Sequence, residues 1–255
     1  MRVVSLTCSN TEIVCALGLA ELLVGVDNHS DYPMEVVTRL PRVGPDLDID
    51  VERVKALEPD LVLASLTVPG HERIVERLER AGLRYIAPEP SRVKDVYADV
   101  LTISRLLGAP ERGEKLVSEM RSALDHRERS ENPVSVLVEW WPKPVIVPGR
   151  DSWVTDLLLA AGGVNPFAER PVKSEPITDD VVLETKPDAI VISWCGVRTE
   201  KYRPEIVYRR PAWQSLEAVK KRRVFCIPEA FLGRPGPRLV DGVHALERVI
   251  QACRS

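Results

Sequence analysis

No run of apolar residues in this 255-residue chain approaches the roughly 20 that a helix needs to span a bilayer. That excludes a helical integral membrane protein. An excess of one charge sign is also missing. Lys and Arg number 35 against 38 Asp and Glu, a formal charge of −3. No strong field draws nucleic acid or an acidic membrane surface. Stretches such as "ERIVERLERAG" interleave the two signs and read as solvated helix faces. Cysteine is too sparse for a scaffold. Cys8, Cys15, Cys195, Cys226 and Cys253 are odd in number and contain no CxxC, which argues against a disulfide framework or a zinc site. A charged leader with an apolar core is missing too, because "MRVVSL" enters a strand directly after Met1. The expectation is a cytoplasmic chain, or a periplasmic or extracellular one whose leader has been removed.

The signatures of common enzymes are equally scarce. "SLTCSNTE" stands where a GxGxxG would follow the first strand, and GxxxxGK[ST], GxSxG and HExxH do not occur. The four histidines, His29, His71, His126 and His244, are scattered and form no metal triad along the chain. His126 and His244 fall on expected helices, as surface or packing residues. His29, near Asp31, is open to two readings: a group that holds a metal or polarises a carbonyl, or a hydrogen-bonded loop histidine. A cleft enzyme using His29 or Glu229 has no motif behind it. The expectation is a chain with no catalytic residues and no bound cofactor.

What is present is an alternation of strand and helix signals. "RVVSL", "LVGVD", "DLVLAS" and "RYIAPE" read as strands, with helices "NTEIVCALGLAEL", capped by Asn10, "DVERVKALE" and "GHERIVERLERAG" between them. After a further helix, "VKDVYADVLTISRLLG", residues 110–132 read as one long dividing helix. The alternation then resumes with strands "VSVLVEW", "DAIVIS" and "RVFCIP". This pattern predicts an α/β fold of two similar lobes with mostly parallel sheets, residues 1–109 and 133–255, joined by the helix. A gapless repeat supports the two lobes. "ERVKALEPDLVLAS" from Glu52 matches "DVVLETKPDAIVIS" from Asp180, 128 residues later, and "YIAPE" matches "FCIPE".

Ligands of open α/β sheets bind beyond the carboxyl ends of the strands. Two such lobes therefore predict a shared cleft lined by the loops after each strand. All five tryptophans lie after the dividing helix, with Trp140, Trp141 and Trp194 at strand ends. Arginines concentrate in the same half. Aromatic faces with guanidinium forks suit a flat ligand fringed with carboxylate, amide or phosphate. Trp153 and Trp213 read as packing residues. The candidate ligand-binding residues are His29, Ser65, Trp140, Trp141, Arg150, Trp194, Phe231 and Arg234.

"VVSLTCSNTEIVCALG", "VGVDNHSDYP", "VERVKALEPDLVLA", "VPGRDSWVTDLLLAAGGVNPF" and "PRLVDGVHAL" together resemble the cobalamin-binding and siderophore-binding proteins of ABC importers, over nearly the whole chain. The resemblance implies two α/β lobes joined by one rigid helix and a binding protein with no chemistry of its own. It implies a corrinoid, such as cobalamin, or a ferric siderophore as ligand. It places His29 where an aromatic contacts the corrin, and residues 230–234, with Phe231 and Arg234, in the contacting loop of the other lobe. The family's further ring-packing tryptophans fall on Asp46 and Ser174, a departure that points to another corrinoid or another chelate. The resemblance also implies docking to an ABC permease through one acidic residue per lobe, here Glu52 and Asp180. An alternative on the same fold is a cytoplasmic sensor or carrier.

Overall fold

A computed structural model describes residues 1–125 and 131–255. His126, and the stretch 126–130 assigned above to the dividing helix, lie outside the described residues. The chain divides into two compact units. Unit 1 comprises Met1–Pro90 and Lys94–Glu119, and unit 2 comprises Ser91–Val93 and Met120–Ser255.

Unit 1 contains β1 (Val3–Ser5), α1 (Cys8–Ala16), β2 (Leu23–Val26), α2 (Met34–Val37), α3 (Val51–Ala56), β3 (Leu61–Leu63), α4 (His71–Arg80) and β4 (Tyr85–Ile86). It also holds nearly all of α5 (Val93–Leu106) and the first part of α6 (Pro110–Leu124). The strands lie parallel in the order β2-β1-β3-β4. The apolar runs of the central strands β1 and β3 are buried throughout, as a helix-covered parallel sheet requires. Val4, Leu6, Val54, Val62, Ile74 and Leu78 form one core. Each such side chain contributes about 1.5–3 kcal/mol by leaving water. Asp50 caps α3 by accepting from Arg53 N at 3.1 Å. α1 departs from expectation: it begins at Cys8, so Asn10 is no cap. Asn10 is buried and donates to Ala64 O at 2.7 Å, tying α1 to the end of β3.

Unit 2 contains β5 (Val134–Glu139), β6 (Trp141–Pro142), β7 (Val145–Pro148), α7 (Trp153–Ala160), β8 (Gly163–Val164), β9 (Ser174–Ile177), α8 (Asp179–Thr185) and β10 (Ala189–Ile192). α9 (Pro204–Tyr208), α10 (Glu217–Lys220), β11 (Val224–Cys226), α11 (Glu229–Leu232) and α12 (Leu239–Arg254) follow. The parallel sheet runs β11-β10-β5-β8. A second sheet, β6-β7-β9, is antiparallel and was not expected from the sequence. Its strands are short and carry Pro142, Pro148 and Pro176, which mask a strand pattern.

The repeat is visible atom by atom. Glu58 and Lys186 occupy the same place in it, and both have left-handed backbones, φ 47° and 43°. The aspartates two residues on do the same work. Asp60 Oδ2 accepts from Arg2 N at 2.6 Å, and Asp188 Oδ2 accepts from Ser135 N at 2.8 Å. In return the Asp60 and Asp188 amides each donate at 2.8 Å to the carbonyls of Arg2 and Ser135. Each aspartate thus clasps the neighbouring strand, β1 or β5, where the helix-to-strand joint passes it.

Candidate functional site

At the carboxyl edge of the unit 1 sheet, β2 runs into a buried polar chain. Asp27 accepts from Ser30 Oγ at 2.5 Å and from His29 N at 2.7 Å. Ser30 Oγ meets Thr11 Oγ1 at 2.8 Å, which in turn donates to Ser5 Oγ at 2.8 Å. Burial pushes the Asp27 carboxyl above its ordinary range, against the opposing pull of Ser30 and the His29 amide. This chain fixes the backbone of His29, whose ring stays 56% exposed.

The next loop is held against this one. Val43 N donates to Val26 O at 3.0 Å and Asn28 N to Gly44 O at 2.8 Å. Arg42 reaches the carbonyls of Asp27 and Ser30 at 2.7 and 2.6 Å. Gly44 turns this loop at φ 111°, where a Cβ would meet Asp48 O at 2.6 Å, so only glycine fits. The turn delivers Asp46 between two imidazoles. His29 Nε2 lies 3.6 Å from Asp46 Oδ1, and His71 Nε2 lies 3.5 Å from Asp46 Oδ2. His71 opens α4 and is buried, and its Nδ1 accepts from Val68 N at 3.4 Å. The His71 ring is the main influence holding the Asp46 carboxyl below its ordinary range, and burial opposes it. The sequence reading placed His29 on a loop near Asp31 but missed Asp46, which stands between it and His71. The only signal was a carboxylate standing where the resembled family carries an aromatic. Ser65 is also at this edge. It is 6% exposed, and its hydroxyl is engaged by Thr67 Oγ1 at 2.9 Å, so it shapes the loop from inside.

In unit 2, β5 ends in Glu139, which is fully buried and fully paired. Arg210 grips it through two bonds, at 2.5 and 2.9 Å, and Trp194 Nε1 donates to it at 2.9 Å. This corrects the expectation for Trp194. Its ring is 4% exposed, packs on Tyr202 with centroids 5.5 Å apart, and belongs to the core. The residue does follow a strand, but the indole turns to the face where Glu139 needs a donor. Trp213 is also core, donating to Asp179 Oδ1 at 2.7 Å beneath the Arg210 guanidinium.

Other candidates are brought together. Trp140, half-buried, lies 6.2 Å from the Trp153 ring, and Trp153 Nε1 donates to Leu232 O at 2.6 Å. Trp153 therefore anchors α11, which carries Phe231. Gly242 lets α12 approach the same turn, since a Cβ there would strike Phe231 O at 2.3 Å. Phe231 lies under the Arg238 guanidinium at 4.8 Å, and Arg234 pairs with Glu229 at 3.3 Å. The Tyr202 hydroxyl accepts from Glu229 N at 3.2 Å and holds the start of this turn. Trp141 is 40% exposed, with Nε1 donating to Lys143 O. Arg150 is exposed beside Asp151 at 3.2 Å. The arrangement offers aromatic faces, a hydrogen-bond donor on each guanidinium, and no nucleophile–base pair among the residues described here. Among the described residues no group of three His, Cys, Asp or Glu is set to hold a metal ion, and no helix is long and apolar enough to cross a membrane.

Glu52 and Asp180 are exposed in the first turns of α3 and α8. Glu52 is 79% exposed and pairs with Lys55 at 3.3 Å.

Comparison with known proteins follows the same lines. The family model for periplasmic binding proteins matches residues 3–231. The ABC transporter substrate-binding lipoprotein YvrC of Bacillus subtilis is 32% identical over 98% of this chain and 79% of its own length. The vitamin B12-binding protein of Vibrio cholerae is 29% identical, covering 95% of this chain and 86% of its own. Among solved structures, the apo periplasmic heme-binding protein RhuT of Roseiflexus sp. RS-1 superposes with a TM-score of 0.83 at 27% identity, over 100% of this chain and 99% of that one. Two parallel-sheet lobes, a repeated helix-Pro-Asp-strand joint and a match along almost the whole chain lead to one conclusion: this protein belongs to the periplasmic binding protein family, among the substrate-binding proteins of ABC importers.

Proposed function

We propose that the protein binds a planar metal chelate, a corrinoid or a heme-like tetrapyrrole, and hands it unchanged to an ABC permease outside the cytoplasmic membrane. The observation that carries this reading is the aromatic and cationic edge of unit 2. Trp141 is exposed, Phe231 is braced by Arg238, and Trp140 is joined to the same turn through Trp153. Ring faces of this kind stack on a flat macrocycle, and Arg150 and Arg234 suit its carboxylate or amide fringe. Relatives that bind vitamin B12 and heme support the ligand class. His29 and Ser65 belong to the proposed contacts of unit 1, Ser65 by shaping its loop. No catalytic role is assigned to any of these residues.

Glu52 and Asp180 are the proposed permease contacts. Both are exposed acids on first helical turns, free of a buried structural task. The alternative use for such acids is to favour the helix dipole, worth about 0.3–1 kcal/mol.

The test is titration of the purified protein with cobalamin, cobinamide, hemin and a ferric hydroxamate, followed by tryptophan fluorescence and equilibrium dialysis. At least one tetrapyrrole is expected to quench and be retained. Trp141→Ala and Phe231→Ala should each weaken that ligand about tenfold, the loss of one well-packed ring contact. Retention of no tetrapyrrole, whether or not the ferric hydroxamate is held, sinks the reading.

A further inference from the structure

The carboxyl edge of unit 1 carries a charge that the planar-chelate reading leaves without a task. We propose that Asp46 selects the rim of the bound chelate. It accepts a hydrogen bond from a rim amide N–H and repels a rim carboxylate, so the preferred ligand is an amide-rimmed macrocycle. The proposal rests on the chelate-binding reading above and deepens it by naming the chemistry of the ligand's edge.

Asp46 is a held carboxylate with an open oxygen. Its side chain is 31% exposed. Its loop is fixed to the preceding one where Asn28 N donates to Gly44 O and Arg42 reaches Ser30 O, and Gly44 admits no Cβ. The His71 ring draws the carboxyl below its ordinary range, so Asp46 is ionised at neutral pH. Among the described residues its only ion-pair partners are the two imidazoles, and no lysine or arginine reaches it. Oδ1 lies 3.6 Å from His29 Nε2, beyond hydrogen-bond reach, so its lone pairs are left for a ligand.

His71 is the second, independent observation. Val68 N donates to its Nδ1 at 3.4 Å, so the proton is on Nε2 and the ring carries no charge to cancel that of Asp46. Nε2 is buried, lies 3.5 Å from Asp46 Oδ2 and has no hydrogen-bond partner among the described residues. An unpaired buried donor beside an ionised carboxylate marks a polar cluster that the chain does not complete by itself.

The surroundings fit the same ligand. Tyr32, Leu47 and Val68 expose apolar side chains on these loops, which suits the body of a macrocycle. Asp31 is exposed and adds charge of the same sign, while Asp48 has Arg77 at 3.8 Å. A rim amide brings N–H donors and no charge. A rim carboxylate brings acceptors and a like charge. Two like charges about 4 Å apart weaken binding about fivefold even at the dielectric of water, and more at a protein surface.

The test uses the whole chain at neutral pH with three probes, read by equilibrium dialysis. Two are dicyanocobinamide and dicyanocobyrinic acid, which share the corrin and differ in carrying amides or carboxylates on its rim. Cyanide fills both axial positions, so the comparison reads the rim. Hemin is the third. The wild-type protein is expected to hold the cobinamide at least tenfold more tightly than the cobyrinic acid. Asp46→Asn should hold the cobinamide several-fold more weakly and the cobyrinic acid at least tenfold more tightly, a pair of opposite changes that a structural defect does not produce. Asp46→Glu should keep the wild-type order. Circular dichroism checks that each variant is folded. A wild-type preference for the cobyrinic acid, retention of hemin with neither corrinoid, or a ratio unchanged in Asp46→Asn overturns the selection by Asp46 and leaves the chelate-binding function standing. Retention of none of the three probes overturns the function and the selection together.

Discussion

Lys186 holds a left-handed backbone, φ 43° and ψ 58°, as the residue that ends α8. For a residue with a Cβ this conformation costs about 1–2 kcal/mol, while glycine adopts it freely at an entropic cost of about 0.5–1 kcal/mol in the unfolded chain. Lys186→Gly should therefore stabilise the protein by about 0.5–1 kcal/mol, and Glu58→Gly, its counterpart, should do the same. Urea unfolding at pH 7 checks both, and a loss of stability in either refutes the strain argument. The letters of the repeat announced the Pro and the Asp but not this handedness, since neither Lys nor Glu signals a positive φ. The same limit explains Trp194. Its place after a strand was legible, but the face its indole chose depended on Glu139, a partner 55 residues away.

Helices with a clean stripe were the most legible elements. α4 buries His71, Ile74 and Leu78 along one face, as the sequence pattern requires. α5 shows what a pattern hides. Asp95 and Asp99 stand one turn apart, and burial, assisted by Asp95, pushes the Asp99 carboxyl up to about 7. The folded protein holds this proton more tightly than the unfolded chain, whose aspartate has the ordinary value of 3.8. Stability from this group is thus intact below about pH 4, falls as the pH rises through the folded value near 7, and stays reduced above it. Asp99→Asn should match the wild type near pH 4 and melt higher at pH 8. Thermal melts at pH 4, 6 and 8 check the trend, and a variant less stable at pH 8 contradicts it. The antiparallel β6-β7-β9 sheet was illegible for a different reason. Its strands have two to four residues and are crossed by prolines, so no period could emerge.

At the scale of the molecule, Glu52 and Asp180 form the proposed docking pair, and they begin the two copies of the repeat. Glu52→Arg with Asp180→Arg should leave ligand affinity within about twofold and reduce association with an ABC permease in proteoliposomes tenfold or more. The estimate follows from charge reversal at an interface, where facing like charges cost several kcal/mol. Undiminished association removes both residues from the interface. The two-lobe α/β fold and the family were readable because they are spread over the whole chain, in the alternation, the repeat and the strand-end loops. The Asp46 bridge was not, because it joins two separate loops and the first residue of α4, which share no sequence spacing.

The aspartate clasps bear on how the protein folds. Asp60 meets Arg2 across 58 residues, and Asp188 meets Ser135 across 53. A parallel strand pair cannot form until such a loop closes, so these contacts are slow compared with helix formation. Closure entropy grows only as the logarithm of loop length, and lengths of 58 and 53 differ by about 0.1 kcal/mol. The duplicated joint therefore gives the two lobes nearly equal closure costs, and whichever forms first is decided by side chains rather than by connectivity.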